Sequence, residues 1–225
     1  MEYNSPYVPP TLTVDAVIFQ LNDNKLEVLL VNRQSEPFKG SWALPGGYNA
    51  EGETTLEALK RVVAKKTGVH IIDDLSYVEQ LYTFDTVARD PRGHAVSVTY
   101  MGCGQGVNKH ITESNVKFYP VDSLPELAYD HAEIIKYAHQ RLNAKLTYTN
   151  TVYAFLPKTF TLTELQLSYE AIMGRPLDKR NFRKKIISLG LINKTDKMRR
   201  DGAYRPAHLY EFRTPSLEYL TRSLD

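Results

Sequence analysis

The sequence predicts an α/β sandwich on a mixed sheet, followed by a smaller winged helix-turn-helix unit. Three observations carry that prediction. Up to about residue 143, short β-branched and apolar runs alternate with segments of helical period; beyond residue 150 the pattern becomes two capped helices and a hairpin; and the excess of basic charge is confined to that second part. The short, polar, unpatterned stretch 145–150 marks the break, giving an expected division into residues 1–146 and 147–225.

Residues 12–19 alternate and are rich in β-branched side chains, Asn22-Asp23-Asn24 supplies turn chemistry, and 26–31 resumes as a near-continuous apolar run. This reads as a hairpin whose second strand is buried. In 41–47 (SWALPGG) the glycines permit positive φ and backbone close to a ligand. Thr54 with Glu57 forms a capping box opening a helix, whose stripe Leu56, Leu59 and Val63 is expected to face the sheet and which Gly68 ends with a left-handed cap. Strands are expected near 76–84, 94–101 and 116–120, and a helix over 132–143 from the spacing of Ile134, Ile135, Ala138 and Leu142. Thr161 and Glu164 make a second capping box, starting a helix to about Met173 with Leu162, Leu165, Tyr169 and Ile172 on one stripe. Gly174-Arg175-Pro176 breaks it, and Asp178 caps a helix over 179–189 with Phe182, Ile186 and Leu189 inward and Arg180, Arg183 and Lys184 outward. A hairpin over 191–212, with Asp201-Gly202 at its tip, completes the winged helix-turn-helix.

Composition is that of an ordinary globular chain: 225 residues, 42% hydrophobic and 24% charged. The start, MEYNSPYVPP, lacks the basic and apolar regions of a signal peptide, and no apolar run approaches the ~20 residues of a membrane helix. The single cysteine, Cys103, excludes an internal disulfide framework and suits a reducing cytosol, so a cytoplasmic protein is expected. The net charge of +2 hides an asymmetry: residues 1–150 carry 14 basic and 18 acidic side chains, residues 151–225 carry 14 and 8. A small basic module on a mildly acidic larger one is the composition that phosphate contacts favour.

Residues 46–69, GGYNAEGETTLEALKRVVAKKTGV, resemble the signature of the Nudix hydrolases: Gly, five residues, Glu, seven residues, then Arg-Glu-aliphatic-any-Glu-Glu-any-Gly-aliphatic. Gly47, Glu53, Arg61, Val63, Gly68 and Val69 match in register, while Val62, Lys65 and Lys66 stand where the signature has glutamates. On a helix these three fall at i, i+3 and i+4 and share one face. Magnesium needs oxygen ligands, which neither an ammonium nor a valine supplies. The resemblance thus implies a Nudix-fold α/β/α sandwich holding a nucleoside-diphosphate ligand, with no metal, no cofactor and no catalytic residue: a sensor in place of an enzyme. Lys65 and Lys66 either neutralise a pyrophosphate as point charges or form a solvated helix face. The loop 89–93 (RDPRG) is similar to one in ADP-ribose-handling Nudix proteins, so Arg33, Glu53, Arg61, Lys65, Lys66, Arg89 and Arg92 are the candidate ligand residues. Two alternatives stay open: Asp90 pairs with Arg89 or Arg92 in an exposed turn, and Glu53 and Arg61 form an ion pair ordering the loop. Tyr82 and Phe84 are read as adenine stackers or as core. His110, His131 and His139 show no zinc-ligand spacing.

In a helix-turn-helix the N-terminal end of the second helix meets base edges. That end is Lys179-Arg180-Asn181-Phe182-Arg183-Lys184-Lys185, so Arg180, Asn181 and Arg183 are the candidate base readers and Lys179, Lys184 and Lys185 the phosphate contacts. Lys158, ahead of the first helix of the unit, and the wing residues Lys194, Lys197, Arg199, Arg200 and Arg205 are further candidate DNA contacts. The stretches 156–162 (LPKTFTL) and 177–185 (LDKRNFRKK) resemble the C-terminal winged helix of the Nudix-related transcriptional regulators of the NrtR type, and both units follow in the expected order. That resemblance implies a homodimeric repressor on palindromic double-stranded operator DNA, with ADP-ribose the usual effector and genes of NAD metabolism the usual targets. Rival readings are a weak ADP-ribose pyrophosphatase recruiting magnesium through Glu51, Glu53 or Glu57, an arabinose-responsive repressor of the same architecture, and a basic tail that contacts RNA or protein.

Overall fold

A computed structural model describes residues 8–200 and 206–220. β1 (Thr11–Asn22) and β2 (Lys25–Asn32) form the expected hairpin, with Asn22 opposite Lys25. Its two-residue turn holds Asp23 at φ 46° and Asn24 at φ 59°, left-handed positions that Asp and Asn tolerate and that match the strand twist. β3 (Trp42–Ala43) pairs with β2, and β4 (Gly46–Tyr48) runs antiparallel to the first half of β1. β5 (Tyr77–Phe84), β6 (Ala95–Cys103) and β7 (Val116–Pro120) complete a seven-stranded mixed sheet, in which β1 and β6 are parallel and β5 is an edge.

β1 is covered on both faces, so Val14 to Gln20 are all buried and its apolar run is nearly continuous. Alternate residues feed opposite layers: Val14, Ala16 and Ile18 meet α1 (Thr55–Thr67), while Val17 and Phe19 meet α2 (His131–Tyr148). α1 opens on the expected Thr54/Glu57 capping box and closes on Gly68 at φ 81°. Its buried arc, however, is Ala58, Leu59, Val62 and Val63, and Leu56 is 36% exposed at the margin of that arc. Val62 is the reason: as an apolar side chain in a position read as a ligand face, it rotates the buried stripe toward itself.

α2 runs five residues past the expected end at 143. Lys145 made the stretch look solvated, yet it is buried and its Nζ pairs with Glu79 Oε2 of β5 at 2.9 Å, while Leu146 packs in the core. The hydroxyls of Thr149 and Thr151 are also buried, satisfied by each other and by the Lys145 carbonyl. A 3-10 turn, Thr151–Phe155, then leads to α3 (Leu162–Met173), α4 (Lys179–Ser188) and the hairpin β8 (Ile192–Arg199) and β9 (Ala207–Phe212). The expected Asp201-Gly202 tip lies outside the described residues. Phe160 bridges to Tyr210 of β9 through a reciprocal pair of backbone hydrogen bonds.

The two units share one hydrophobic core. Leu165, Tyr169 and Ile172 of α3, with Phe182 and Ile186 of α4, belong to the same buried cluster as Val17, Phe19, Val28 and the α2 residues Ile134, Ile135 and Leu142. His139 Nε2 meets the Ile172 carbonyl at 2.7 Å, and Asn150 holds the chain from 214 to 218 against the end of α2. No helix among the described residues is long and apolar enough to cross a membrane.

Candidate functional site

Gly46 and Gly47 lie where β4, β1 and α1 meet. A Cβ on Gly46 would stand 1.8 Å from Asp15 Oδ1, so only glycine lets the strand approach the buried Asp15 carboxylate. A Cβ on Gly47 would meet both Val62 methyls at 3.2 Å. Lys66, one turn further on, donates to the Gly46 carbonyl. Burial of its ammonium pushes the Lys66 pKa down, with the negative Asp15 acting in the opposite direction and Arg33 and Lys65 adding to the depression. Both lysines lie largely exposed along their stems, but only Lys66 brings its ammonium onto the Gly46 carbonyl; Val62 is buried against Gly47 and Lys65 makes no such contact, so the three do not meet at one point.

Glu53 and Arg61 form the ion pair that the sequence left open. Arg61 Nε and Nη2 reach the two Glu53 oxygens at 2.6 and 2.7 Å, and Nη2 also donates to the Tyr48 carbonyl at 3.0 Å. The Arg61 bonds, helped by the Ala50 N–H, hold the Glu53 pKa down to about 2. Magnesium does not fit this loop. Glu53 is committed to Arg61, position 62 is apolar and buried, position 66 brings a positive charge, and no group of three or more His, Cys, Asp or Glu among the described residues is placed to hold a metal ion.

Beneath the loop lies a buried polar network. Asp15 Oδ2 accepts from Ser97 Oγ at 2.6 Å and lies 3.6 Å from Arg89 Nη2. Arg89 grips Asp130, at the start of α2, through Nε at 2.9 Å and Nη2 at 2.8 Å. It is thus buried in the floor and does not present its fork to solvent. The Leu44 N–H donates to His131 Nδ1 at 2.9 Å, which leaves Nε2–H directed at Asp15 Oδ1, 3.8 Å away; burial pushes the His131 pKa down and keeps the ring neutral.

The remaining arginines gather around a ring that sequence reasoning missed. Tyr129 has the Arg33 guanidinium 4.9 Å from its centroid, Arg92 at 6.0 Å and Phe38 edge-on at 4.8 Å. Phe38 and Tyr129 both have positive φ, 65° and 56°, a costly backbone for aromatic residues. Arg33 is oriented by the Pro37 carbonyl at 2.7 Å, and Arg92 by Asp90 at 2.6 and 2.9 Å, with Tyr48 under it at 5.6 Å. The Arg92 hydrogen bonds hold Asp90 below the usual carboxylate range. Cations, half-exposed aromatic rings and the Gly46 edge thus share one face, chemistry suited to an anionic group joined to a flat or apolar one. Tyr82, 52% exposed, and the half-buried Phe84 pack on each other and on Tyr137, at 5.2 to 5.8 Å between centroids, and so form an exposed aromatic group outside the core. The one signal for the missed floor was Asp15, a charge inside an apolar strand; nothing marked Tyr129 or Phe38.

At the other end of the molecule, Lys179, Arg180, Asn181 and Lys184 are exposed along α4, with Lys158 exposed ahead of α3 and Lys194, Lys197 and Arg200 exposed on the wing. Asp178 caps α4 through the Asn181 N–H at 2.8 Å. Arg183 is half-buried and donates to Thr163 Oγ1 of α3 at 3.2 Å, and Arg199 reaches Glu164 at 2.5 Å. Both therefore tie the unit together as well as bordering its basic face. Arg205 lies outside the described residues.

Residues 11–138 match the family model of the NUDIX domain, and residues 152–212 match that of the NrtR DNA-binding winged helix domain. The chain is 37% identical over 215 residues to an ADPR responsive transcriptional repressor of Acinetobacter baylyi, covering 92% of this chain and 84% of that protein. NrtR of Shewanella oneidensis in complex with a 27mer DNA superposes with a TM-score of 0.81 at 35% identity, covering 95% of this chain and 99% of that one. The NUDIX domain of the same Shewanella protein, complexed with ADP ribose, matches with a TM-score of 0.51 at 36% identity, over 62% of this chain and 94% of that one. The sheet-bearing part is also 36% identical over 133 residues to an ADP-ribose pyrophosphatase of Methanocaldococcus jannaschii, 58% of this chain and 73% of that protein.

Proposed function

We propose, from the premise that this chain belongs to the NrtR family of Nudix-fold regulators with a C-terminal winged helix, that it is an ADP-ribose-responsive repressor of transcription. The observation that carries the reading is the pairing, in one chain, of a cationic, aromatic face around Tyr129 with an exposed basic α4 whose helix unit is welded to the sensor by a shared core. The sensor is assigned to residues 1–146 and the DNA-binding unit to 147–225. The effector's phosphates are assigned to Arg33, Lys66 and Arg92, with Tyr129 and Phe38 against a ring of the effector; Glu53 and Arg61 order the loop, and Arg89 organises the floor. Arg180 and Asn181 are assigned to base edges, and Lys158, Lys179, Lys184, Lys197 and Arg200 to phosphates. The protein acts in the cytoplasm as a homodimer on a palindromic operator of genes in NAD metabolism. Two-fold symmetry of the protein then mirrors that of its site.

The likeness to a pyrophosphatase favours a second reading, slow hydrolysis of ADP-ribose. The chemistry of positions 62, 65 and 66 supports a protein without it, since no carboxylate set gathers a metal that would activate water. Incubating the full chain with ADP-ribose and excess Mg²⁺ separates the two: intact ADP-ribose is expected, and steady release of AMP and ribose 5-phosphate would establish the enzyme. Gel shifts on the promoter of its neighbouring genes test the DNA half, with preference for that duplex over a scrambled one expected.

A further inference from the structure

We propose that the Lys66 ammonium is the resident cation of the effector pocket, a tethered charge standing where a hydrolase would need a divalent ion, so that effector binding needs no metal. This rests on the ADP-ribose reading of the pocket. The backbone carbonyl of Gly46 and the Asp15 carboxylate beside it are oxygen ligands of the kind a hard cation seeks. The sequence sends an ammonium to that spot: Lys66 leaves α1 one turn beyond Val62 and donates to the Gly46 oxygen. An ammonium has three N–H groups, and this bond uses one, leaving donors for a phosphate.

The surroundings set the charge balance. Asp15 and Asp130 share one cation, Arg89, and His131 accepts from the Leu44 N–H, so the floor holds one more carboxyl group than cation, and Asp15 acts electrostatically on the Lys66 ammonium from that floor. Arg33, oriented by Pro37, acts electrostatically on Lys66 from the rim. A divalent ion entering here would meet both positive charges and find Val62, which has no acceptor, closing the Gly47 side. A diphosphate meets the reverse: one fixed ammonium and one guanidinium. A metal-dependent site would make occupancy follow Mg²⁺ as well as effector; a tethered lysine makes it report the effector alone.

The test uses the full-length chain with Lys66→Met, Lys66→Arg and Lys66→Glu. ADP-ribose affinity is measured by calorimetry in EDTA and in excess Mg²⁺, and Mn²⁺ binding by electron paramagnetic resonance without effector. Wild type is expected to bind ADP-ribose equally in both buffers and to leave Mn²⁺ free. K66M is expected to lose roughly tenfold or more in both, as befits a lost charged hydrogen bond, and K66R to recover most of it. K66E is expected to gain a Mn²⁺ site and a Mg²⁺-dependent affinity. A wild-type affinity that rises tenfold with Mg²⁺, an unchanged K66M, or wild-type Mn²⁺ binding equal to that of K66E would each overturn the proposal. If K66E does not fold, K66M against K66R and the two wild-type buffers decide it. If wild type binds no ADP-ribose, the effector assignment fails, and the Mn²⁺ comparison still decides the lysine.

Discussion

Glu53 is the residue whose environment makes the sharpest statement. Its carboxylate accepts from Arg61 and from the Ala50 N–H, which puts its pKa at about 2 against an ordinary 4.5. A depressed carboxylate contributes order above its ordinary value and loses it as pH falls toward the folded value, so the loop around Gly47 is expected to hold together down to pH 4.5 and to loosen between there and about 2. A carboxyl-carbon NMR titration of Glu53 is expected to show a midpoint near 2; one near 4.5 would mean that the Arg61 pair does not persist in solution. In α4 the arginines divide. Arg180 is exposed, so Arg180→Ala is expected to weaken operator binding by ~1 to 3 kcal/mol with the melting temperature unchanged. Arg183 is tied to Thr163, so Arg183→Ala is expected to lower both, and an unchanged melting temperature would show that the Thr163 bond does not hold α3 and α4 together. That division was not legible in the sequence, where both read as outward cations of one stripe. Which of two similar arginines finds a hydroxyl on a neighbouring helix depends on the crossing of α3 and α4, and spacing within one helix does not encode it.

Elements with local causes were legible. Both capping boxes, the left-handed Gly68, the Asp23-Asn24 turn and the phase of α3 follow from residues within a few positions of each other, and each stands where the pattern put it. The end of α2 did not, because Lys145 is made internal by Glu79, 66 positions earlier in the chain, and a buried ion pair is invisible to periodicity. β4 is likewise a product of distant contact: three residues held against β1 because Gly46 leaves room for Asp15. Gly46→Ala would set a Cβ 1.8 Å from Asp15 Oδ1 and 2.6 Å from the Val14 carbonyl. It is expected to destabilise the chain by roughly 1 to 3 kcal/mol, the cost of overpacking, read as a lower denaturant midpoint. An unmoved midpoint would show that β4 detaches from β1 without consequence.

At the scale of the whole molecule, the shared core is what joins ligand chemistry to DNA chemistry. Leu165 of α3 is fully buried in the cluster that holds the β1 and α2 side chains, and the single tryptophan, Trp42, packs against that cluster from β3. Leu165→Ala is expected to cost ~2 to 5 kcal/mol and to lower the Trp42 fluorescence transition together with that of the winged helix. A Trp42 transition left in place would show that the two units unfold independently. A unit so joined moves with its sheet, so the effector is expected to act on the placement of one protomer's α4 relative to its partner's, through a coupling of ~1 to 3 kcal/mol. Half-site spacing is fixed by the DNA helix, which turns a small rotation into loss of one contact set. The most direct measurement follows a fluorescent operator duplex by anisotropy as ADP-ribose is added to the saturated complex. Release of the duplex at effector concentrations that fill the pocket is the predicted result, and full retention with the pocket filled would contradict it.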